Sequence, residues 1–243
     1  MVEVNNETYI YVTNMYESHI VVFHINGSFV RYLVHIGAKS IVASNNAVFV
    51  SSLFDFLVKY DMNLNLITYI FECNFTRNDE GPCLGGELSL FYDKSSGRLY
   101  CADPYVNAIH VFDTDLNRIT FHTPINMIFN VLYYNNIFYE STVGNRLNLM
   151  QFTENGSQFW FNSFSVCEST LVVEHFRTIY VHEDEYFLFP CYYDKTIRIF
   201  HLNMTFANLV IPTLSKPLAF TFGPGRQLLV TTKNPTGIEI YFF

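Results

Sequence analysis

The chain is poor in charge and in long apolar runs. Of its 243 residues only 14 are Lys or Arg, against 22 Asp or Glu, which leaves a net charge of −8. No basic run interrupts this acidic balance. That argues against nucleic acid, whose binding depends on Lys and Arg neutralising phosphates, and against docking on anionic lipid. Half the residues are hydrophobic, yet the richest segments, "IVASNNAVFV" (41–50) and "NVLYYNNIFY" (130–139), are broken by Asn. Neither approaches the ~18–20 continuous apolar residues of a spanning helix, so no membrane insertion is expected. "MVEVNNETYI" has no basic n-region and no apolar h-region, so no leader is read in it. A leader, if the protein is secreted, would lie outside this chain.

Cysteine is sparse and odd in number: Cys73, Cys83, Cys101, Cys167 and Cys191. No Cys-x-x-Cys and no Cys/His pair at zinc-ligand spacing occurs, and most of the five read as buried or free thiols. Cys73 and Cys83 are the exception. They bracket the polar stretch "CNFTRNDEGPC", and a disulfide across it suits an oxidising compartment. Nucleophile elbows, phosphate loops and zincin motifs are missing too, so no cofactor and no resident metal is expected.

What the chain does have is a repeat. A short strand ending in small or polar residues recurs as "YVTN" (11–14), "FVSS" (49–52), "YCAD" (100–103), "FYES" (138–141), "FLFP" (187–190) and "LVTT" (229–232). Each is followed by a second strand carrying an aromatic: Phe23, Tyr60, Phe112, Phe152, Phe200 and Tyr241, spaced 37, 52, 40, 48 and 41 residues apart. Turn residues precede each first strand: Asn5-Asn6, Asn45-Asn46, Ser95-Ser96-Gly97, Asn135-Asn136, Glu183-Asp184-Glu185 and Gly223-Pro224-Gly225. A period near 40 residues with several short strands per unit is the signature of a β-propeller. Ala is scarce and alternation dominates, as in "TIRIFHL" and "GIEIYFF", which argues against helix.

The expectation is therefore an all-β, six-bladed propeller occupying 1–243 as one domain, with four-stranded antiparallel blades. From the inside out the strands are A (ending at the turn pair), B (the "YVTN" strand), C (the aromatic strand) and D. Strand A of the first unit has room only for "VEV", and the chain stops after strand C of the sixth. Either the chain is a piece of a longer one, or its last blade closes imperfectly.

"YIYVTNMYESHIVVFHINGSFV" and "SSGRLYCADPYVNAIHVFDTDLNRI" resemble NHL and YVTN-type propeller repeats. The other units keep the pattern with substitutions. YWTD propellers are the nearest rival, but none of the six units carries Trp at the position of that motif, and Trp160 does not close a blade as in WD40. The resemblance implies either of two roles: a non-enzymatic scaffold binding a protein, peptide or glycan, or a metal-dependent hydrolase or lyase acting at the channel mouth.

In a propeller the B–C and D–A loops share one face, and the A–B and C–D turns the other. Tyr16, Glu17, Phe54, Asp55, Phe56, Asp103, Tyr105, Arg146, Tyr192, Tyr193, Asp194 and Lys195 fall in or beside the B–C loops. Aromatics mixed with charges are the composition of recognition surfaces, so these are the candidate binding residues. The Cys73–Cys83 segment is a D–A connection on the same face. Five Asn-x-Ser/Thr sequons occur, at Asn6, Asn26, Asn74, Asn155 and Asn203. Asn26, Asn155 and Asn203 share one C–D turn slot, filled by Asn63 and Asn117 in two other units, and turn geometry explains them. Asn6 and Asn74 remain as candidate glycosylation sites, which tilts localisation towards the secretory pathway. His24 and His201 follow the strand-C aromatic and read as structural, as does "VHEDE" (181–185). Glu174 and His175 are adjacent on a strand and point to opposite faces.

Overall fold

A computed structural model describes residues 2–4, 7–14, 17–54, 56–71, 84–85, 88–123, 128–134, 137–142, 150–152, 158–160, 167, 180–182, 186–201, 205–223, 227–233 and 237–242. Among them no helix is long and apolar enough to cross a membrane. The chain divides into two compact units, Met1–Val131 and Leu132–Phe243.

The first unit holds three four-stranded sheets. The first comprises β1 (Val2–Val4), β2 (Glu7–Asn14), β3 (His19–His24) and β4 (Phe29–Val34). The second comprises β5 (Ala38–Ala43), β6 (Ala47–Ser52), β7 (Phe56–Asp61) and β8 (Leu66–Phe71). The third comprises β9 (Ser89–Asp93), β10 (Arg98–Asp103), β11 (Ala108–Phe112) and β12 (Arg118–His122). A fourth begins at the unit boundary: β13 (Ile128–Tyr134), β14 (Ile137–Thr142), β15 (Met150–Phe152) and β16 (Gln158–Trp160). In the second unit follow β17 (Tyr180–His182), β18 (Tyr186–Cys191), β19 (Thr196–His201) and β20 (Phe206–Pro212), then a three-stranded sheet of β21 (Lys216–Gly223), β22 (Gln227–Lys233) and β23 (Gly237–Phe242). Every sheet is a simple meander in chain order.

The strand-C aromatic sets one common register. Phe23 pairs with Ile10, Tyr60 with Val48, Phe112 with Leu99, Phe152 with Phe138, Phe200 with Phe187 and Tyr241 with Leu228. At Phe23, Tyr60, Phe112 and Phe200 the pairing with strand D slips by a bulge, and the C–D turn opens directly after it. Asp61 and Asp113 hold that turn. Each accepts at Oδ1 from the backbone N–H groups two and four residues on, and at Oδ2 from the side chains of Asn65 and Asn117. Those bonds hold both carboxyls below the usual carboxylate range, although burial works against them. Asn117 thus corresponds to Asn65, and it is Asp115 that stands in the slot of Asn26 and Asn63. The residue at the third turn position is left-handed: Gly27, φ +85°; Leu64 and Leu116, φ +65°. Both leucines are buried in the cores beneath their turns.

Strand B forms the middle of each core. Val48, Phe49 and Val50 of β6, Leu99, Tyr100 and Cys101 of β10, and Phe187, Leu188 and Phe189 of β18 are all essentially inaccessible. Burial on both faces is what a strand packed between neighbouring sheets shows. One cluster joins the first two sheets around Ile20, Val22, Val50 and Val58. Another joins the second and third around Phe49, Leu57, Leu90 and Phe112. In the second unit Leu188, Ile197, Phe220, Leu228 and Val230 form a third.

Candidate functional site

The last two residues of strand B carry separate tasks. The penultimate hydroxyls latch one sheet to the next: Thr13 Oγ1 donates to Lys39 O at 2.9 Å, and Ser51 Oγ to Leu88 O at 2.7 Å. The last residue organises the B–C loop and, in the second and third sheets, also holds the D–A connection beside it. Asn14 accepts from Glu17 N–H and donates to the Glu17 carboxylate. Ser52 Oγ accepts from Phe54 N–H and donates to Ile36 O at 2.9 Å. Asp103 accepts from Gly85 N–H at 2.6 Å through Oδ2, and from the N–H groups of Tyr105 and Val106 through Oδ1.

In the fifth sheet the corresponding residue is Cys191, and its partner in the preceding connection is Cys167. The two are joined by a disulfide, with Cα atoms 5.5 Å apart. This corrects the expectation that these cysteines are thiols. Sequence reasoning overlooked it, although Cys191 stands in the slot of Asn14, Ser52 and Asp103. Cys101 is the free cysteine among the described residues, and burial pushes its thiol well up, helped by the Asp103 charge.

The loops after β2, β10 and β18 finish alike, on left-handed Ser18, Asn107 and Lys195 (φ +54°, +52° and +53°). The carbonyls of Ser18 and Lys195 each accept, at 2.8 Å, from the first residue beyond strand D, His35 and Thr213. His35 is itself buried, with Nδ1 2.7 Å from the Tyr60 hydroxyl, and burial lowers its pKa to about 4.

On this frame the candidate residues separate. In the first unit Phe54 is 55% exposed and Tyr105 66%. Both rest on glycines of the D–A connections. A Cβ on Gly37 would meet the Phe54 ring at 3.0 Å, and one on Gly85 would meet Tyr105 Cβ at 2.7 Å. Glu17 is exposed and braces Asn14. Two candidates move inward. Asp103 is wholly buried, with His110 Nε2 3.6 Å from its Oδ2, so its carboxylate organises the loop and does not face a partner. Phe56 lies on β7, half-buried against His35 and the core, because alternation along the strand turns it away from the loop tip.

In the second unit Tyr192 and Tyr193 pack edge-on, centroids 5.0 Å apart. Lys216 Nζ stands 4.9 and 5.1 Å from the two ring centroids. Tyr193 is 40% exposed, and Leu214 beside Lys216 is 85% exposed. Lys195 is exposed as well. Asp194 is half-buried, and its carboxylate lies within 4.8 Å of both disulfide sulfurs. Tyr16, Asp55, Arg146, Cys73, Cys83, Asn6, Asn74, Glu174, His175 and residues 183–185 lie outside the described residues.

No protein-family model and no curated protein matches the chain. Solved structures do. A functionally unknown protein from Desulfotomaculum acetoxidans is 12% identical with a TM-score of 0.64, over 96% of this chain and 74% of its own. A streptogramin B lyase is 13% identical at 0.64, over 100% of this chain and 81% of its own. A virginiamycin B lyase from Staphylococcus aureus is 13% identical at 0.63, over 100% and 83%. Similarity over nearly the whole length at this low identity establishes architecture: the chain has an all-β propeller fold.

Proposed function

We propose that the six sheets are the six blades of the propeller, and that the chain is a non-enzymatic scaffold binding a protein, peptide or glycan through its B–C and D–A loops. The observation that carries this is the Tyr192–Tyr193–Lys216 cluster. Two phenol rings edge to edge offer apolar area and hydroxyls at low entropic cost, which is how aromatic hot spots work. The exposed rings of Phe54 and Tyr105 repeat the composition on the loops of the first unit. A second reading, a metal-dependent lyase or hydrolase at the channel mouth, is favoured by the fold shared with the two lyases.

Affinity capture with the intact protein, comparing wild type with Tyr192→Ala/Tyr193→Ala, tests the first reading. Loss of a partner from the double variant supports it, and unchanged recovery removes this face from consideration. Turnover of a streptogramin B substrate that chelation abolishes would replace the scaffold reading with the second.

A further inference from the structure

We propose that Cys167, Cys191 and Asp194 form a redox-gated zinc site, closed as a disulfide and able to bind Zn²⁺ once reduced. Three observations carry it. Both cysteines are buried residues, Cys167 at 6% exposure and Cys191 at 0%. The Asp194 carboxylate lies three residues beyond Cys191, and one of its oxygens is within 4.8 Å of both sulfurs. Among the described residues no other group of three His, Cys, Asp or Glu side chains comes together in this way.

The chemistry follows from the two oxidation states. As a disulfide the sulfurs are bonded to each other and lack the negative charge of a thiolate ligand. A thiol reductant attacks the disulfide through a mixed intermediate, leaving two cysteine thiols and one molecule of oxidised reductant. The reduced pair is then buried beside a carboxylate. Ionising either thiol there without a cation would place two negative charges together in a dry environment. A divalent cation removes that obstacle: Zn²⁺ takes the two sulfurs as thiolates, releases two protons, and takes a carboxylate oxygen as its third ligand. Water completes the tetrahedron. Zinc–sulfur bonds of ~2.3 Å and zinc–oxygen bonds of ~2.0–2.2 Å place tetrahedral ligand atoms ~3.5–3.8 Å apart, so a small closure of the carboxylate and rotation of the two sulfurs suffice. Two thiolates exclude Ca²⁺ and Mg²⁺, which require oxygen shells.

Place in the fold reinforces the chemistry. The end of strand B is joined to the preceding D–A connection through Ser52 and Ile36 in the second sheet, and through Asp103 and Gly85 in the third. The fifth sheet makes the same junction through sulfur. A reduced pair without metal leaves that junction open, and zinc closes it again.

The test uses the full chain with Cys73→Ser/Cys83→Ser, so that Cys101, Cys167 and Cys191 are the remaining cysteines. Cobalt(II) is titrated into the phosphine-reduced and the oxidised protein, and the sulfur-to-cobalt charge-transfer absorption is followed. The reduced form is expected to bind one cobalt ion, displaced by zinc, and the oxidised form none. Cys191→Ser and Cys167→Ser should each abolish the band, and Asp194→Asn should weaken binding at least ~10-fold, as loss of a ligand does. Zinc should raise the melting temperature of the reduced protein only, which also reports that the variants are folded. No band in folded, reduced protein overturns the proposal. So does a band that survives Cys191→Ser, or affinity indifferent to Asp194→Asn.

Discussion

Asp103 and Gly85 stand in direct contact, the carboxylate Oδ2 accepting the glycine N–H at 2.6 Å. The same carboxylate receives two N–H groups from its own loop, so one buried side chain joins a B–C loop to a D–A connection. Asp103→Ala leaves three part-buried donors, on Gly85, Tyr105 and Val106, without their acceptor. A charge-assisted hydrogen bond contributes roughly 1.5–3 kcal/mol, so a loss of ~3 kcal/mol in denaturant unfolding is expected. Asp103→Asn should lose about half of that.

Gly85→Ala addresses the other side of this contact. The added Cβ would sit 2.7 Å from Tyr105 Cβ and 3.0 Å from Asp103 Oδ1. Overpacking of this kind costs ~1–3 kcal/mol, and the loop carrying Tyr105 must shift. Gly97→Ala is the control: it meets nothing within 4 Å and pays only for its left-handed φ of +68°, ~1–2 kcal/mol. Equal stability of Gly85→Ala and wild type would show that the contact is slack.

Leu116 sets two effects against each other. Its left-handed φ of +65° costs ~1–2 kcal/mol, while its side chain is 5% exposed in the core and removal costs ~2–5 kcal/mol. Burial wins, so Leu116→Gly should be less stable by about 1–3 kcal/mol in equilibrium unfolding. A stabilised variant would mean that backbone strain dominates this turn.

His35 makes stability depend on pH. Its pKa falls from 6.5 to about 4 because it is buried. In this window the unfolded chain binds the proton and the folded one resists it, so stability is complete above about pH 6.5 and declines as pH falls towards 4. The decline attributable to His35 is at most ~3 kcal/mol. His35→Phe should flatten the pH dependence of the unfolding midpoint in that range, and an unchanged slope would assign it to other groups.

Ser51 tests the latch between sheets. Its hydroxyl donates to Leu88 O and accepts from Ser40 N–H in a fully buried position. Ser51→Ala should cost ~1–2 kcal/mol in denaturant unfolding, and a variant as stable as wild type would show that the latch contributes nothing.

The architecture was legible because it is written three times over, in the turn pair, the strand-B ending and the strand-C aromatic. Spacing identified Phe23 and Tyr241 as equivalents without any knowledge of their neighbours. The same repeat concealed what differs between units. Asp103 reads as a binding residue because a charge beside aromatics at the end of strand B suits a recognition surface, whereas the donors of Gly85, Tyr105 and Val106 allow it to be buried. Cys191 was read by cysteine spacing, where Cys167 is an unremarkable 24 residues away. The slot comparison with Ser52 becomes visible only once the register is known. Phe56 illustrates a boundary error: β7 already begins at this residue, so its ring joins the core face of Val58 and Tyr60 instead of the loop.

The meander sheets carry a consequence for how the protein is made. Among the described residues each strand pairs only with strands next to it in the chain, so a sheet can pair as soon as its own stretch of chain has left the ribosome. Short sequence separation lowers the loop-closure cost of those contacts. The latches from Thr13 to Lys39 and from Ser51 to Leu88 then run forward, from a finished sheet to β5 in one case and to the residue just before β9 in the other. Within the first unit, assembly can proceed from the amino end, the first sheet serving as the template for the second and the second for the third.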